Sequence, residues 1–475
     1  MRQIAAFVAS LFFASGAAAD TARIATIPAS EHLGAAVAGM RGEDGMSIAN
    51  TGRAWIVAAG CAAAALGGCL GDSNGVVDPV VIDAGTPNTI SVWNQTATTT
   101  INQPNAATGT PEEKASNYAF DLATVHVAMY DAVTAIDGRY APFFVTPTAA
   151  TAGASQDAAA AAAAYGVLSG LFPSRSALYQ AAYDSSLAAV TDASARAKGV
   201  AIGAEVAAGV LAARANDGRA TVLPAFVAGT GPGQFRGPAI VGRTYPYVKP
   251  FALASAAQFR APGPRSLTST AYTADFSETA GLGASASATR TSAQATSARF
   301  HSENPGIFWP RNLRSFTMTS RSLADQSRLG ALLWVAHADA TIACFESKYT
   351  FLAWRPFTAI NLADTDGNPA TAVDTAWTPF LPTPPHPEYP AAHGCASAAT
   401  AEVLRQFYDT SEISFDFTST VSATMQHYAT TDAFLDDVTT ARIAGGMHFR
   451  SSMVDGEALG QSVARYIAAN RFKKR

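Results

Sequence analysis

Two stretches of this chain, Ala158 to Leu171 and Ala193 to Ala215, are dominated by alanine. Alanine has the highest helix propensity of any residue and loses no side-chain entropy on folding. The second stretch opens at Thr191-Asp192, a favourable N-cap, and closes at Asn216-Asp217-Gly218, a favourable stop. Strand-like alternation is scarce, and the segment from Leu223 to Pro264 is rich in Pro, Gly and aromatics. It reads as a long ordered connection crossing a helical bundle. The expected fold class is therefore all-α. The 475 residues are 48% hydrophobic and 14% charged, enough to bury a large core. A formal net charge of -4 gives no basic footprint, so no nucleic-acid partner is expected.

Chemistry-bearing residues concentrate in the last third, in three short segments. They read Lys348-Tyr-Thr-Phe-Leu-Ala-Trp354-Arg355-Pro356, Tyr389-Pro390-Ala391-Ala392-His393-Gly394, and Ala441-Arg442-Ile-Ala-Gly445-Gly446-Met447-His448. A phosphate-like oxyanion carries about two negative charges near neutral pH and needs fixed cations. Lys348, Arg355 and Arg442 supply a point charge and two planar forks. Lys348 and Arg355 are seven residues apart, about two helical turns, so one helical face would present both before Pro356 ends the helix. The small residues Ala391, Ala392 and Gly394 would let backbone amides approach an anion at the N-terminus of a helix running from Cys395 to Leu404. Gly445 and Gly446 would allow a similar close approach before His448. His393 and His448 add groups able to act as nucleophile, ligand or acid–base near neutral pH.

In order and spacing these segments resemble the signature of the vanadium-dependent haloperoxidases, in the bacterial branch of the type 2 phosphatidic acid phosphatase superfamily: Lys-x6-Arg-Pro, Pro-Ser-Gly-His, Ser-Arg-x3-Gly-x-His. The likeness extends to His126-Val-Ala-Met-Tyr130-Asp131, Pro250-Phe251-Ala-Leu and His386-Pro387-Glu388-Tyr389-Pro390, and covers most of the chain from about residue 90 onward. It implies two interleaved helical bundles within residues 76–475, a scaffold over about 115–300 and a site-bearing bundle over about 301–475. It also implies vanadate as cofactor, with His448 its axial ligand and His393 the acid–base group. Lys348, Arg355, Arg442 and the backbone N–H of Ala392 would hold its equatorial oxygens. The implied partners are hydrogen peroxide and a halide, with an organic acceptor as a further candidate. The implied alternative is an acid phosphatase acting through a phosphohistidine at His448.

Departures from the pattern refine this expectation. Ala391 and Ala441 stand where the family carries serines, removing a hydrogen bond to the anion each time. His386, seven residues before His393, resembles the second histidine of bromide-oxidising members and favours bromide or iodide over chloride. Superfamily phosphatases carry an aspartate four residues after the nucleophilic histidine; here that position is Ser452 and the next acid is Asp455, which favours the peroxidase. Elsewhere, His126 reads as a satisfied core residue, Trp354 and Phe357 as packing for the motif helix, and His301, His337 and His427 carry no motif.

The first 75 residues read as an export leader and linker. Met1-Arg2, an apolar run and Ala17-Ala18-Ala19 resemble a secretory signal, while Met46, Arg53 and Leu66-Gly67-Gly68-Cys69 resemble a lipoprotein signal that would lipidate Cys69. Either implies an exported enzyme, periplasmic or anchored to a bacterial envelope. Besides Cys61 and Cys69, the chain has Cys344 and Cys395, read as two buried free thiols with a disulfide as the alternative.

Overall fold

A computed structural model describes residues 79–82, 85–103, 117–237 and 241–475. The leader motifs, including Cys61 and Cys69, lie outside the described residues. After a short strand β1 (Val80–Val81) come helices α1 (Thr89–Asn102), α2 (Tyr118–Asp137), α3 (Gln156–Leu171), α4 (Ser176–Ala188) and α5 (Ala193–Arg214). They pack on one another as a first group. Following the long connection are α6 (Thr270–Leu282), α7 (Ser292–Phe300), α8 (Pro305–Ser315), α9 (Leu323–Phe351) and the short α10 (Pro356–Asn361). The chain ends with α11 (Ala392–Tyr408), a hairpin of β2 (Ile413–Ser419) and β3 (Thr424–Tyr428), then α12 (Thr431–Ala444) and α13 (Arg450–Asn470). The architecture is all-α apart from this sheet, ordered β1-β2-β3, with β1 parallel and β3 antiparallel to β2. Its one well-patterned strand, β2, alternates buried and outward residues and turns Phe415 and Phe417 into the core.

Both alanine-rich stretches are helices, and their composition sets how closely they pack. A Cβ on Gly203 of α5 would lie 2.4 Å from the Ala159 carbonyl oxygen of α3, so the two backbones touch where only glycine and alanine fit. The caps are as the sequence indicates: Asp192 accepts from the Ser194 and Ala195 amides at 2.9 and 3.0 Å. Helices α2 and α9 are the two described helices long and apolar enough to cross a membrane, yet 89% and 94% of their apolar windows are buried within the protein. They pack against each other, and one hydrophobic core, including Trp93, Tyr130, Trp334 and Phe417, runs continuously through both helix groups. Helices buried on all sides need no polar face, which is why neither shows a clear amphipathic stripe.

The described parts of the connection, residues 223–237 and 241–264, are tied to α9 by polar anchors. The buried Asp339 carboxylate accepts from the amides of Phe251, Ala252 and Leu253 at 2.7–3.1 Å. Ser347 accepts from Ala261 N, and Arg260 pairs with Glu346. Further back, the Phe235 amide donates to Leu352 O at 2.7 Å and the Trp354 amide to Gly233 O at 2.9 Å. These two bonds clamp the turn that follows α9 and so fix the approach to Arg355.

Candidate oxyanion site

Helix α9 stops at Phe351 because Leu352 adopts a left-handed conformation, φ 49°, and the chain reverses. Arg355 is consequently not on the helix of Lys348, as their spacing suggests, but is the extended residue (φ -80°, ψ 156°) preceding α10. Proline disfavours helical geometry in the residue before it and suits the first helical position, so Pro356 begins a helix rather than ending one. Trp354 packs in a small cluster with Tyr272, Phe276 and Trp377. Phe357, expected to pack beside it, is instead 42% exposed on the outer side of α10.

The three cations nevertheless converge. Lys348 is fully buried, and its Nζ donates to the carbonyl oxygens of Pro387 and Glu388 at 2.9 Å each. Arg355 donates from Nε to His386 O and from Nη1 to Met447 O, both at 2.9 Å. Its Nη1 also lies 3.1 Å from His448 Nε2, and its Nη2 3.0 Å from His386 Nδ1. Arg442, in the last turn of α12, reaches the His301 carbonyl at 3.2 Å, but its Nε is buried with no partner. Burial drives all three downward, Lys348 to about 8, Arg442 to about 9 and Arg355 to about 10, with neighbouring cations adding to the effect on Lys348 and Arg442. Buried cations facing one another without a carboxylate for each are costly, and a bound anion is what relieves that cost.

His448 is held from both sides. Arg355 Nη1 is a donor, so His448 Nε2 presents a lone pair; Nδ1 then carries the proton and donates to Glu388 Oε1 at 2.9 Å. The same carboxylate oxygen accepts from the Phe449 amide at 3.1 Å. Burial raises the Glu388 carboxyl to about 7, against the opposing pull of Arg355 and Lys348. Both hydrogen bonds fall on Oε1, which therefore acts as an acceptor. Burial, and then the neighbouring cations, hold His448 well below the usual histidine range, so its ring is neutral. Glu388 is thus the orienting acid, and the sequence argument from Ser452 and Asp455 does not hold. Ser452 donates instead to Glu388 O at 3.4 Å, while Asp455 accepts from Tyr389 Oη at 2.6 Å and pairs with Arg265. The carboxylate is sixty positions before the histidine in sequence, so local spacing could not reveal it.

The remaining side of the site is the N-terminus of α11. Ala391 is its cap residue and makes no side-chain capping bond, so the first-turn amides, that of Ala392 included, keep their donors for a ligand. His393, next along, is half-buried and held below its usual range by burial, then by Arg442 and His301. Close packing fixes this helix end: a Cβ on Gly460 of α13 would lie 2.1 Å from the Cys395 carbonyl oxygen. Gly446, expected to approach an anion, instead takes φ +74° in the turn after α12, with a Cβ there 2.5 Å from Gly283 O. Ala392, His393, His386, Arg442 and His448 all border one cavity of about 570 Å³. His386 also packs against Phe345, ring centroids 5.3 Å apart.

Several residues lie elsewhere or were given no role by the sequence. His126 is buried in the core, its Nε2 donating to the Asn94 amide oxygen at 2.9 Å and its Nδ1 without a partner among the described residues, so it is only partly satisfied. His427 is exposed and paired with Asp416. His301 and His337, which carry no motif, both belong to the neighbourhood of the site: His301 backs Arg442 and pairs with Asp437, and His337 lines the cavity. Cys344 and Cys395 are free buried thiols.

The described chain is thus a helical-bundle protein whose C-terminal helices gather three buried cations and two histidines beside one cavity. Residues 328–474 match the family model of the VCPO second helical-bundle domain, and this bundle belongs to that family. Over 97 residues, 18% of the chain, it is 34% identical to the vanadium chloroperoxidase of Curvularia inaequalis, a match spanning 15% of that protein's length. The fold is similar to that of a bacterial vanadium-dependent iodoperoxidase, with TM-score 0.63 and 20% identity, over 82% of this chain and 99% of that one. A bacterial vanadium-dependent chloroperoxidase in holo form gives TM-score 0.62 and 17% identity over 82% and 98% of the two chains. Its apo form gives 0.61 and 16% over 75% and 92%.

Proposed function

We propose that this chain is a vanadate-dependent haloperoxidase that uses hydrogen peroxide to oxidise bromide or iodide. The observation that carries the reading is the constellation around His448: a ring held at Nδ1 by Glu388, its unprotonated Nε2 accepting from Arg355, on the wall of a cavity that Arg442, Ala392 and His393 also border. The residues fit the cofactor. Nε2 offers one ligand, the orphaned Arg442 Nε and the Ala392 amide offer donors, and Lys348 and Arg355 supply charge. Vanadate, when bound, supplies a Lewis-acid centre that activates peroxide without changing oxidation state. His393, held neutral, is able to take a proton from incoming peroxide and later return it to the departing oxygen. The overall balance is X⁻ + H₂O₂ + H⁺ giving HOX + H₂O, the halide losing the two electrons that cleave the O–O bond.

A phosphohistidine phosphatase would also use a neutral His448 oriented by an acid, so the test has two arms. Protein from residue 70 onward, stripped of anions, is assayed for bromide oxidation with and without orthovanadate, and for hydrolysis of an aryl phosphate. Oxidation that requires vanadate supports the peroxidase; vanadate-inhibited hydrolysis without oxidation replaces it with the phosphatase.

His386 borders the cavity against Arg355, which supports a role for it in halide choice. His386→Phe is expected to shift the ratio of bromide to chloride turnover; an unchanged ratio would remove His386 from halide selection. For location, we propose export to the periplasm or envelope with Cys69 lipidated, supported by the Leu66-Gly67-Gly68-Cys69 sequence. Cys69→Ser is then expected to release the protein from the membrane fraction, and an unchanged distribution would rule out the anchor.

A further inference from the structure

One cluster of titratable side chains takes no part in the chemistry above, and none of its members borders the cavity. Helix α7 supplies Ser297, the residue just after it is His301, β3 supplies Tyr428 and α12 supplies Asp437. The Asp437 carboxylate is the hub. Its Oδ1 accepts from Ser297 Oγ at 2.5 Å, and its Oδ2 accepts from Tyr428 Oη at 2.8 Å and from His301 Nε2 at 2.9 Å. Burial pushes this carboxyl upward, but the bonds from its neighbours, that of His301 foremost, outweigh burial and hold it below the usual carboxylate range. Hydrogen bonds to an ionised acceptor are the strong kind, so the cluster is a firm side-chain lock between α7 and α12.

What the lock holds is a helix end. His301 is the C-cap of α7, where the last carbonyls have no partner inside the helix and carry partial negative charge. Its own carbonyl oxygen accepts from Arg442 Nη1 at 3.2 Å and from the His393 imidazole. One backbone oxygen thus meets both an anion-holding cation and the acid–base group. Burial, and then Arg442, the His301 ring and Lys348, lower His393; the carbonyl bond is the contact that opposes them. A ring nitrogen that donates to a carbonyl must carry the hydrogen, which leaves the other nitrogen bare and able to take a proton. Asp437 and Arg442 both lie on α12, so the helix that bears the cation also bears the lock that aims its acceptor.

We propose that His301 is a positioning residue: locked by Asp437, its carbonyl fixes the tautomer of His393 and the aim of Arg442. The consequence for turnover rests on the haloperoxidase reading, in which His393 exchanges protons with peroxide; the positioning itself does not. With the lock cut, the end of α7 keeps its carbonyl but loses its aim, and the neutral His393 ring is free to carry its hydrogen on either nitrogen. A ring protonated on the wrong nitrogen has no lone pair where a proton must be taken, so proton transfer slows while halide binding stays as it was.

The test reads the tautomer directly, from the nitrogen resonances of vanadate-free protein labelled with ¹⁵N in histidine, those of His393 being assigned by their loss in His393→Gln. Two variants cut the lock from opposite sides. His301→Phe keeps a ring beside Phe308 and Phe434 but loses the donor, and Asp437→Asn removes the charge. His301→Gln restores a donor toward Asp437. Should a cutting variant fail to fold, Tyr428→Phe, which takes one hydroxyl from Asp437, replaces it. The expected result is one protonated and one bare His393 nitrogen in wild type, two signals that move toward each other in both cutting variants, and a return toward wild type in His301→Gln. In vanadate-loaded protein, kcat for iodide oxidation should fall about tenfold or more in the cutting variants, with KM for iodide within about twofold of wild type. The double variant should be no slower than the slower single, because both changes break one interaction. The inference is overturned if wild type already mixes the tautomers, if the cutting variants keep the wild-type signals or turnover, or if His301→Gln is as impaired as His301→Phe. A tautomer that shifts as expected in a protein whose wild type oxidises no halide would uphold the positioning and defeat the haloperoxidase reading instead.

Discussion

His448→Ala is expected to abolish vanadate-dependent halide oxidation and, in the alternative chemistry, phosphate hydrolysis as well. The substitution removes the nitrogen whose lone pair faces Arg355 Nη1 and leaves both Arg355 Nη1 and Glu388 Oε1 with one partner fewer. Retained activity would discard the central assignment. Glu388→Gln provides a graded companion, since glutamine still accepts from the Phe449 amide and from His448 but carries no charge. Outer partners of ligating histidines typically contribute about 10–100-fold to affinity or activity, so a loss in that range is expected. The decline should appear in vanadate affinity, measured by dialysis, as well as in turnover. A variant matching wild type in both would show that Glu388 is only a packing residue.

The second large effect concerns charge. Arg442 is 2% exposed, touches one carbonyl and leaves Nε unpaired, so the anion-free protein bears the cost of an incompletely compensated buried cation. Arg442→Met is therefore expected to raise the melting temperature of the stripped protein while greatly weakening oxyanion binding. Hydrogen bonds to charged groups contribute about 1.5–3 kcal/mol each, so affinity should fall by at least tenfold. Wild-type protein should in turn be stabilised by phosphate or vanadate, by about 2.7 kcal/mol at a hundredfold excess over Kd. Thermal melts across a phosphate titration would check both statements. If Arg442→Met melts no higher than wild type without anion and gains as much from it, the orphaned guanidinium is not part of the cradle.

A pH dependence accompanies this. In the empty site Lys348 is charged below about 8 and neutral above it. Anion binding favours the charged form, so affinity is highest below that value and falls as pH rises through it, well before an ordinary lysine near 10.5 would deprotonate. Phosphate affinity measured from pH 6 to 10 should show this break, and Lys348→Met should lose it. An unbroken profile in wild type would show that Lys348 does not govern the anion's charge balance.

How much of this was legible in the sequence follows from the range of each interaction. Alanine content and capping residues act within a few positions, and α5 lies within the stretch they mark while α3 begins two residues before its own. The motif residues announced themselves by residue type and order, and five of the seven named for the site border one cavity, with Arg355 bonded to the wall residue His386 and Lys348 to the adjoining carbonyls of Pro387 and Glu388. What local spacing could not provide was direction. Lys348 and Arg355 look like neighbours on a helix, but a left-handed Leu352 lies between them. Glu388 was in view as part of a motif, yet its partnership with His448 depends on how α11 packs on α13, through contacts far apart in sequence. His301 lacked any motif because its significance comes from the helix end it caps and the groups that end meets.

Lys348 and Arg355 are held less by carboxylates than by peptide carbonyls: those of Pro387 and Glu388 for the lysine, and those of His386 and Met447 for the arginine. This makes the site poorly portable. Copying its side chains onto another helical bundle would transfer the charges without the backbone that aims them, and two cations would be free to turn toward water. A faithful transplant would have to carry the whole loop from His386 to Ala391, together with the Met447 turn, as a single block.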